Sequence, residues 1–192
     1  MSTRAQQIGI WIIAVVMTVG TIGGFFAIVL ANQNQATQQT KQQELVAEYT
    51  KQQEEAAKQN AENSEPLEGY GPETFDAAGV TSLQSEVLVE GTGETVKKTD
   101  TISANYFGWL SDGTIFDSSN KKDADDTAIS FSLTQVIQGW ADGLDGQKVG
   151  NIVKLTIPAD LAYGTAGSGV IPANAPLQFI VKINAIETAT ES

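Results

Sequence analysis

Hydrophobic and polar positions divide the chain into stretches of different period. Residues 8–31 (IGIWIIAVVMTVGTIGGFFAIVLA) are uncharged and almost wholly apolar. As a helix they would extend about 36 Å, against about 30 Å of hydrocarbon in a bilayer. The run therefore predicts a transmembrane helix after a short tail, residues 1–7. Glycines weaken helices in water but are common in membrane-spanning ones, so Gly9, Gly20, Gly23 and Gly24 fit. Gly20 and Gly24 also have the small-xxx-small spacing that lets membrane helices approach closely. A cleavable signal peptide is the rival reading, because Val29-Leu30-Ala31 resembles a small-residue cleavage site. Its apolar core would be only about 7–15 residues, which favours an uncleaved signal anchor. Arg4 precedes the run and the next cation is Lys41. A cytoplasmic N-terminus follows from that asymmetry, with the rest of a single-pass cell-membrane protein extracytoplasmic.

Residues 32–79 change character. Gln, Glu, Lys, Ala and Asn dominate up to Ser64, and the run QQELVAEYTKQQEEAAK favours helix by propensity. Leu45, Tyr49 and Ala56 could share a face, but no heptad of large apolar residues is sustained. The expectation is a polar, partly helical spacer, with a weak dimerisation helix as the alternative. Pro66, Gly69, Gly71, Pro72 and Gly79 mark residues 65–79 as linker and loop.

Residues 80–188 read as strands, followed by a tail, residues 189–192. SLQSEVLVEG alternates near period two, as does TISANYFGWL, which an Asp112-Gly113 hairpin turn joins to TIFDSS. A short helix is expected over residues 136–144, then NIVKLTIP as a strand, a Gly-rich loop, and PLQFIVKINAIE as a last strand. Antiparallel strands with one short helix give an α+β class, a curved sheet wrapped over that helix.

Composition narrows the chemistry. A formal net charge of −12 argues against nucleic acid, whose binders carry Lys and Arg stripes. The chain contains no His and no Cys. Thiolate and imidazole catalysis are therefore excluded, as is a disulfide framework. Asp123, Asp125 and Asp126 lack the Gly and the distal Glu of a calcium loop, and are expected in a solvated loop balancing Lys121 and Lys122. Gly91-Thr-Gly93 is a turn with no following helix to cradle a phosphate. No metal and no cofactor is expected.

Tyr106, Phe116, Phe131, Trp140, Tyr163 and Phe179, with Val136, Ile137 and Ile171, are more large apolar groups than one small helix and one sheet face bury completely. Most belong to the core, and a concave remainder would form a pocket.

Ordered motifs sharpen this reading. They are Tyr106-Phe-Gly108, Asp112-Gly113-Thr-Ile-Phe116-Asp117-Ser118-Ser119, Val136-Ile137-Gln-Gly139-Trp140, Gly143-Leu144, Leu155-Thr-Ile157-Pro158, Leu161-Ala162-Tyr163-Gly164, and Ile171-Pro172 followed by Ala175-x-Leu177-x-Phe179. In this order the zone closely resembles the FK506-binding-protein family of peptidyl-prolyl isomerases, over a little more than half the chain. The resemblance implies a strongly bent antiparallel sheet of five or so strands clasping a short helix, with a proline pocket between them. By the same matching, Trp140 resembles the pocket floor and Tyr106, Phe116 and Phe179 its walls. Val136, Ile137 and Ile171 resemble its lining, and Ile129 stands where an aromatic wall residue is frequent. The Ile137 N–H and the Tyr163 hydroxyl resemble donors to ligand carbonyls, and Asp117 an acceptor ordering the Tyr106 region. Gln147 and Ala173 depart from the family's usual Met and Pro.

The implied activity is rotation about X-Pro bonds in unfolded or exported polypeptides, with macrolides as inhibitors. Such rotation needs no nucleophile, which agrees with the missing His and Cys. A membrane-tethered peptide-binding or chaperone module with weak isomerase activity is the alternative, and a structural tether a third.

Overall fold

The computed structural model describes residues 35–122 and 127–187. The expected membrane span, residues 8–31, lies outside them, as do Asp123, Asp125 and Asp126 and the C-terminal tail. Among the described residues no helix is long and apolar enough to cross a membrane.

The polar segment is helical for longer than its expected partial helicity. Helix α1, Gln35–Asn63, runs unbroken for 29 residues, because Gln, Glu, Lys and Ala disfavour helix almost nowhere along it. The chain divides into two compact units, Met1–Glu55 and Ala56–Ser192. In the first, Leu45, Val46 and Tyr49 of α1 are exposed. The second begins with the last turns of α1, well before residue 80, where the globular zone was expected to start.

Among the described residues six strands follow: β1 (Gln84–Val89), β2 (Thr101–Trp109), β3 (Ile115–Ser118), β4 (Ile129–Ser132), β5 (Ile152–Ile157) and β6 (Leu177–Glu187). All pair antiparallel in the order β1-β5-β6-β2-β3. β4 shares β2 with β3: β3 pairs with Phe107, Gly108 and Trp109, and β4 with the stretch from Thr101 to Ala104. The sequence foreshadows β4 least, since an alternation of four residues is too short to stand out. Helix α2 is Gln138–Leu144, so Val136 and Ile137 precede the helix in which they were expected.

Period-two alternation gives the sheet two covered faces. Ile102, Ala104 and Tyr106 of β2, Val153, Leu155 and Ile157 of β5, and Leu177, Phe179, Val181 and Ile183 of β6 face the main core with Trp140 and Leu144 of α2. The helix lies close because Gly139 and Gly143 replace side chains: a Cβ there would come within 2.3 Å of Ile157 Cγ2 and 2.7 Å of Leu155 Cδ2.

Phe107, Trp109 and Ile180 point to the opposite face, where buried Leu67 and half-buried Tyr70 and Phe75 cover them. Residues 65–79 are thus no free linker. Trp109 Nε1 donates to the Glu73 carbonyl at 2.9 Å, and Phe75 N to the Ser111 carbonyl at 3.0 Å. The physical reason is area: two stacked rings, Phe107 on Trp109 with centroids 5.0 Å apart, are stabilised only if this segment removes them from water.

Candidate active site

Trp140 occupies the first turn of α2, on the side that faces the sheet. Around it stand three rings edge-on: Tyr106 of β2 (centroids 5.3 Å apart, planes at 86°), Phe131 of β4 (5.1 Å, 64°) and Phe179 of β6 (5.4 Å, 84°). Phe116 of β3 extends the set by meeting Phe179 at 5.4 Å and 86°. Edge-to-face contacts match the positive rim of one ring to the negative face of the next, so this arrangement holds ring orientations as well as burying area. Gly108 makes room for two of the rings: a Cβ there would lie 2.5 Å from Phe179 Cε1 and 2.6 Å from Phe116 Cζ.

One polar group enters this apolar set. The Tyr106 hydroxyl donates to Asp117 Oδ2, and the backbone N–H of Ser118 donates to Asp117 Oδ1 at 2.9 Å. Local backbone geometry locks the pair in place. Tyr106 N donates to Ser119 Oγ at 3.0 Å, while the Tyr106 carbonyl accepts from Ser119 N at 2.8 Å and Ser118 Oγ at 3.0 Å. Burial and the neighbouring carboxylate push the Tyr106 hydroxyl well above its ordinary pKa. The Tyr163 hydroxyl is pushed up to about 12, first by burial and then by Asp117. Both phenols therefore remain hydrogen-bond donors across the physiological range. Trp140 Nε1 is a further donor, buried without a partner among the described residues.

Ile129 (β4), Val136, Ile137 and Tyr163 are half-buried against the same core, and Ile171 is buried within it. Ile137 caps α2; its carbonyl accepts from Trp140 and Ala141, and its own N–H lies outside the helical ladder. Of the ten residues singled out from sequence, the nine apolar or aromatic ones belong to or pack against one core cluster, and Asp117 joins them through the Tyr106 hydroxyl.

A family model described as FKBP-type peptidyl-prolyl cis-trans isomerase matches residues 92–184. The chain is 36% identical to the FKBP-type peptidyl-prolyl cis-trans isomerase FkpA of Aeromonas hydrophila, over 96% of this chain and 69% of that protein. It is 45% identical to an FK506-binding protein of Neisseria meningitidis serogroup A, over 53% of this chain and 94% of that one. The chain belongs to the FKBP-type peptidyl-prolyl cis-trans isomerase family. The domain built from β1–β6 and α2 is its isomerase. A crystal structure of a peptidyl-prolyl cis-trans isomerase from Pseudomonas syringae superposes with a TM-score of 0.50 at 27% identity, over 76% of this chain and 96% of that one. The FkpA of Escherichia coli K12 is 38% identical over 72% of this chain, which spans half of that relative's length.

Two features of this region leave little signal in the sequence. Phe131 was counted among the large apolar residues but not placed at the site, although it touches both Tyr106 (centroids 5.3 Å apart) and Trp140. Its one signal is the Ile-x-Phe alternation of β4. Lys121, expected on a solvated loop, instead lies 3.1 Å from Asp117 Oδ1, and Lys122 Nζ donates to the Glu62 carbonyl at 2.5 Å. A half-buried ammonium beside a carboxylate is held by charge rather than released to solvent.

Proposed function

We propose that this FKBP-type isomerase accelerates X-Pro rotation in unfolded or exported polypeptides, with the proline ring on Trp140 between Tyr106, Phe116 and Phe179. The carrying observation is the orthogonal ring set around Trp140, closed on one side by the Tyr106–Asp117 hydrogen bond. Ile129, Val136, Ile137 and Ile171 line the remaining wall in this reading.

The chemistry suits a site without bases. Rotation about X-Pro is slow because amide resonance is lost at the top of a barrier of about 18–20 kcal/mol. The twisted amide separates less charge than the planar one, so a dry aromatic site favours it relative to water. The Tyr163 O–H and the Ile137 N–H hold the flanking carbonyls while the bond turns, and Asp117 keeps the Tyr106 ring in its wall position. A millionfold acceleration corresponds to about 8 kcal/mol of differential stabilisation, within reach of several apolar contacts and two or three hydrogen bonds.

The domain also offers macrolides an apolar site with few polar groups. In this proposal the chain is a single-pass membrane protein with the isomerase outside the cytoplasm; the support is the uncharged run at residues 8–31 with Arg4 before it.

A protease-coupled assay on peptides with one X-Pro bond tests the site. Trp140→Ala combined with Tyr163→Phe should abolish most of the acceleration while the fold persists, and an unchanged rate would remove the assignment. Cell fractionation followed by protease treatment of intact cells tests the anchoring. Full-length protein in the soluble fraction would overturn it.

A further inference from the structure

The last turns of α1 reach the candidate site. Asn60 Nδ2 donates to Asp117 Oδ1 at 2.8 Å, and Asn60 Oδ1 accepts from Lys121 Nζ at 2.7 Å. Lys121 Nζ also reaches Ser64 Oγ at 2.9 Å and Asp117 Oδ1 at 3.1 Å, so its three N–H groups meet three acceptors. Chemistry fixes the direction of the amide: an ammonium only donates and a carboxylate only accepts, so Asn60 must turn its oxygen to Lys121 and its nitrogen to Asp117. No other side chain of similar size offers both a donor and an acceptor at that spacing. Counting Ser118 N, Asp117 Oδ1 accepts from three groups, two of them outside the strand that carries it.

One turn earlier on the same helical face, Ala57 meets a second part of the site. A Cβ at Gly169 would lie 2.7 Å from Ala57 Cβ, and Gly169 belongs to the loop that leads into Ile171. The end of α1 therefore touches the Asp117 side and the Ile171 side alike.

Contacts other than those of Asn60 also seat this helix end. Lys122 N donates to the Asn63 carbonyl and Glu65 N to the Asn120 carbonyl, each at 3.0 Å, and Lys122 Nζ holds the Glu62 carbonyl. These contacts hold the helix end through its backbone carbonyls and the Glu65 N–H, whereas the Asn60 amide is directed at Asp117 and Lys121.

We propose that Asn60 and Lys121 are positioning residues for Asp117, making the end of the polar helix a working wall of the isomerase site. The proposal rests on the reading that Asp117 belongs to that site. Without the amide, the Asp117 carboxylate loses a fixed donor and can rotate away from the Tyr106 hydroxyl, loosening the wall against which proline packs.

A double-mutant cycle on the full chain decides the matter. The variants are Asn60→Leu, of similar size without polar atoms, Asp117→Ala, and the two together, each assayed on an X-Pro peptide and followed by urea melts. Asn60→Leu should lower kcat/KM about three- to tenfold, and should add nothing to Asp117→Ala. Asn60→Asp, which keeps the acceptor for Lys121 but sets a carboxylate against Asp117, should lower it at least as much. Equal losses from Asn60→Leu with and without Asp117 would overturn the proposal, because the helix would then act only through packing. Full activity in folded Asn60→Leu, with Asp117→Ala impaired, would also overturn it while leaving the site assignment intact. Full activity in Asp117→Ala would remove both, and so distinguishes the two failures. Should Asn60→Leu melt early, Lys121→Met supplies the same cycle from the other partner.

Discussion

Gly108 and Phe179 face each other as register partners on β2 and β6, and the Phe179 ring lies across the glycine so closely that a Cβ would sit 2.5 Å from its Cε1. The strand gives up one side chain so that two aromatic walls can stand over it. Gly108→Ala should therefore displace both Phe116 and Phe179. The expected cost is about 1–3 kcal/mol of stability from overpacking, with a loss of isomerase activity larger than the stability change explains. Urea melts alongside a protease-coupled assay would show the two effects.

Tyr106 carries a ring contact and a hydrogen bond that can be separated. Tyr106→Phe keeps the edge-on packing against Trp140 and Phe131 but removes the donor to Asp117. A stability loss of about 1.5–3 kcal/mol is expected, as for a hydrogen bond to a charged group. Chemical denaturation measures it. A change below a few tenths of a kcal/mol would mean that Asp117 Oδ2 finds another donor or that the three donors on Oδ1 suffice to hold the carboxylate.

Alkaline stability follows from the two phenols. Both are raised above an ordinary value of about 10, Tyr163 to about 12. The folded chain thus holds these protons more tightly than the unfolded chain does. Their contribution is fully present below about pH 10 and is lost as pH rises above it, for Tyr163 towards about 12. Stability should be flat in this respect from pH 7 to 9 and fall above 10, and Tyr163→Phe should make the fall shallower. Urea midpoints across that range check the sign.

Residues 64–79 belong to the folded unit. Leu67 is 5% exposed beneath Phe107, Trp109 and Ile180. Leu67→Ala should cost about 2–5 kcal/mol. A fragment starting at residue 64 should melt well above one starting at residue 80, because the shorter one exposes the stacked Phe107 and Trp109. Equal melting temperatures would contradict the packed outer layer.

Much of the candidate site was legible in the sequence. Tyr106, Phe116, Asp117, Trp140, Tyr163 and Phe179 stand out because the motifs holding them have characteristic order and spacing, and the structure gathers them into one constellation. Phe131 was less legible: its strand is four residues long, and its ring contacts depend on β4 sharing an edge of β2 with β3. Asn60 left no signal, because an asparagine in a Gln- and Asn-rich helix looks like its neighbours until Asp117 and Lys121 arrive from β3 and the loop after it.

By itself the sequence determined what local chemistry can determine: period-two strands, the Asp112-Gly113 turn, a polar segment of high helix propensity, and a site without imidazole or thiol. Tertiary structure alone decided which faces are covered. Alternation on β2 says only that Tyr106 and Phe107 point opposite ways. That α2 covers one and residues 64–79 the other depends on contacts between segments far apart in the chain, whose closure no local pattern encodes. The same holds for the end of α1, where partners 57 and 61 residues away turn an unremarked Asn60 into the holder of Asp117 and Lys121.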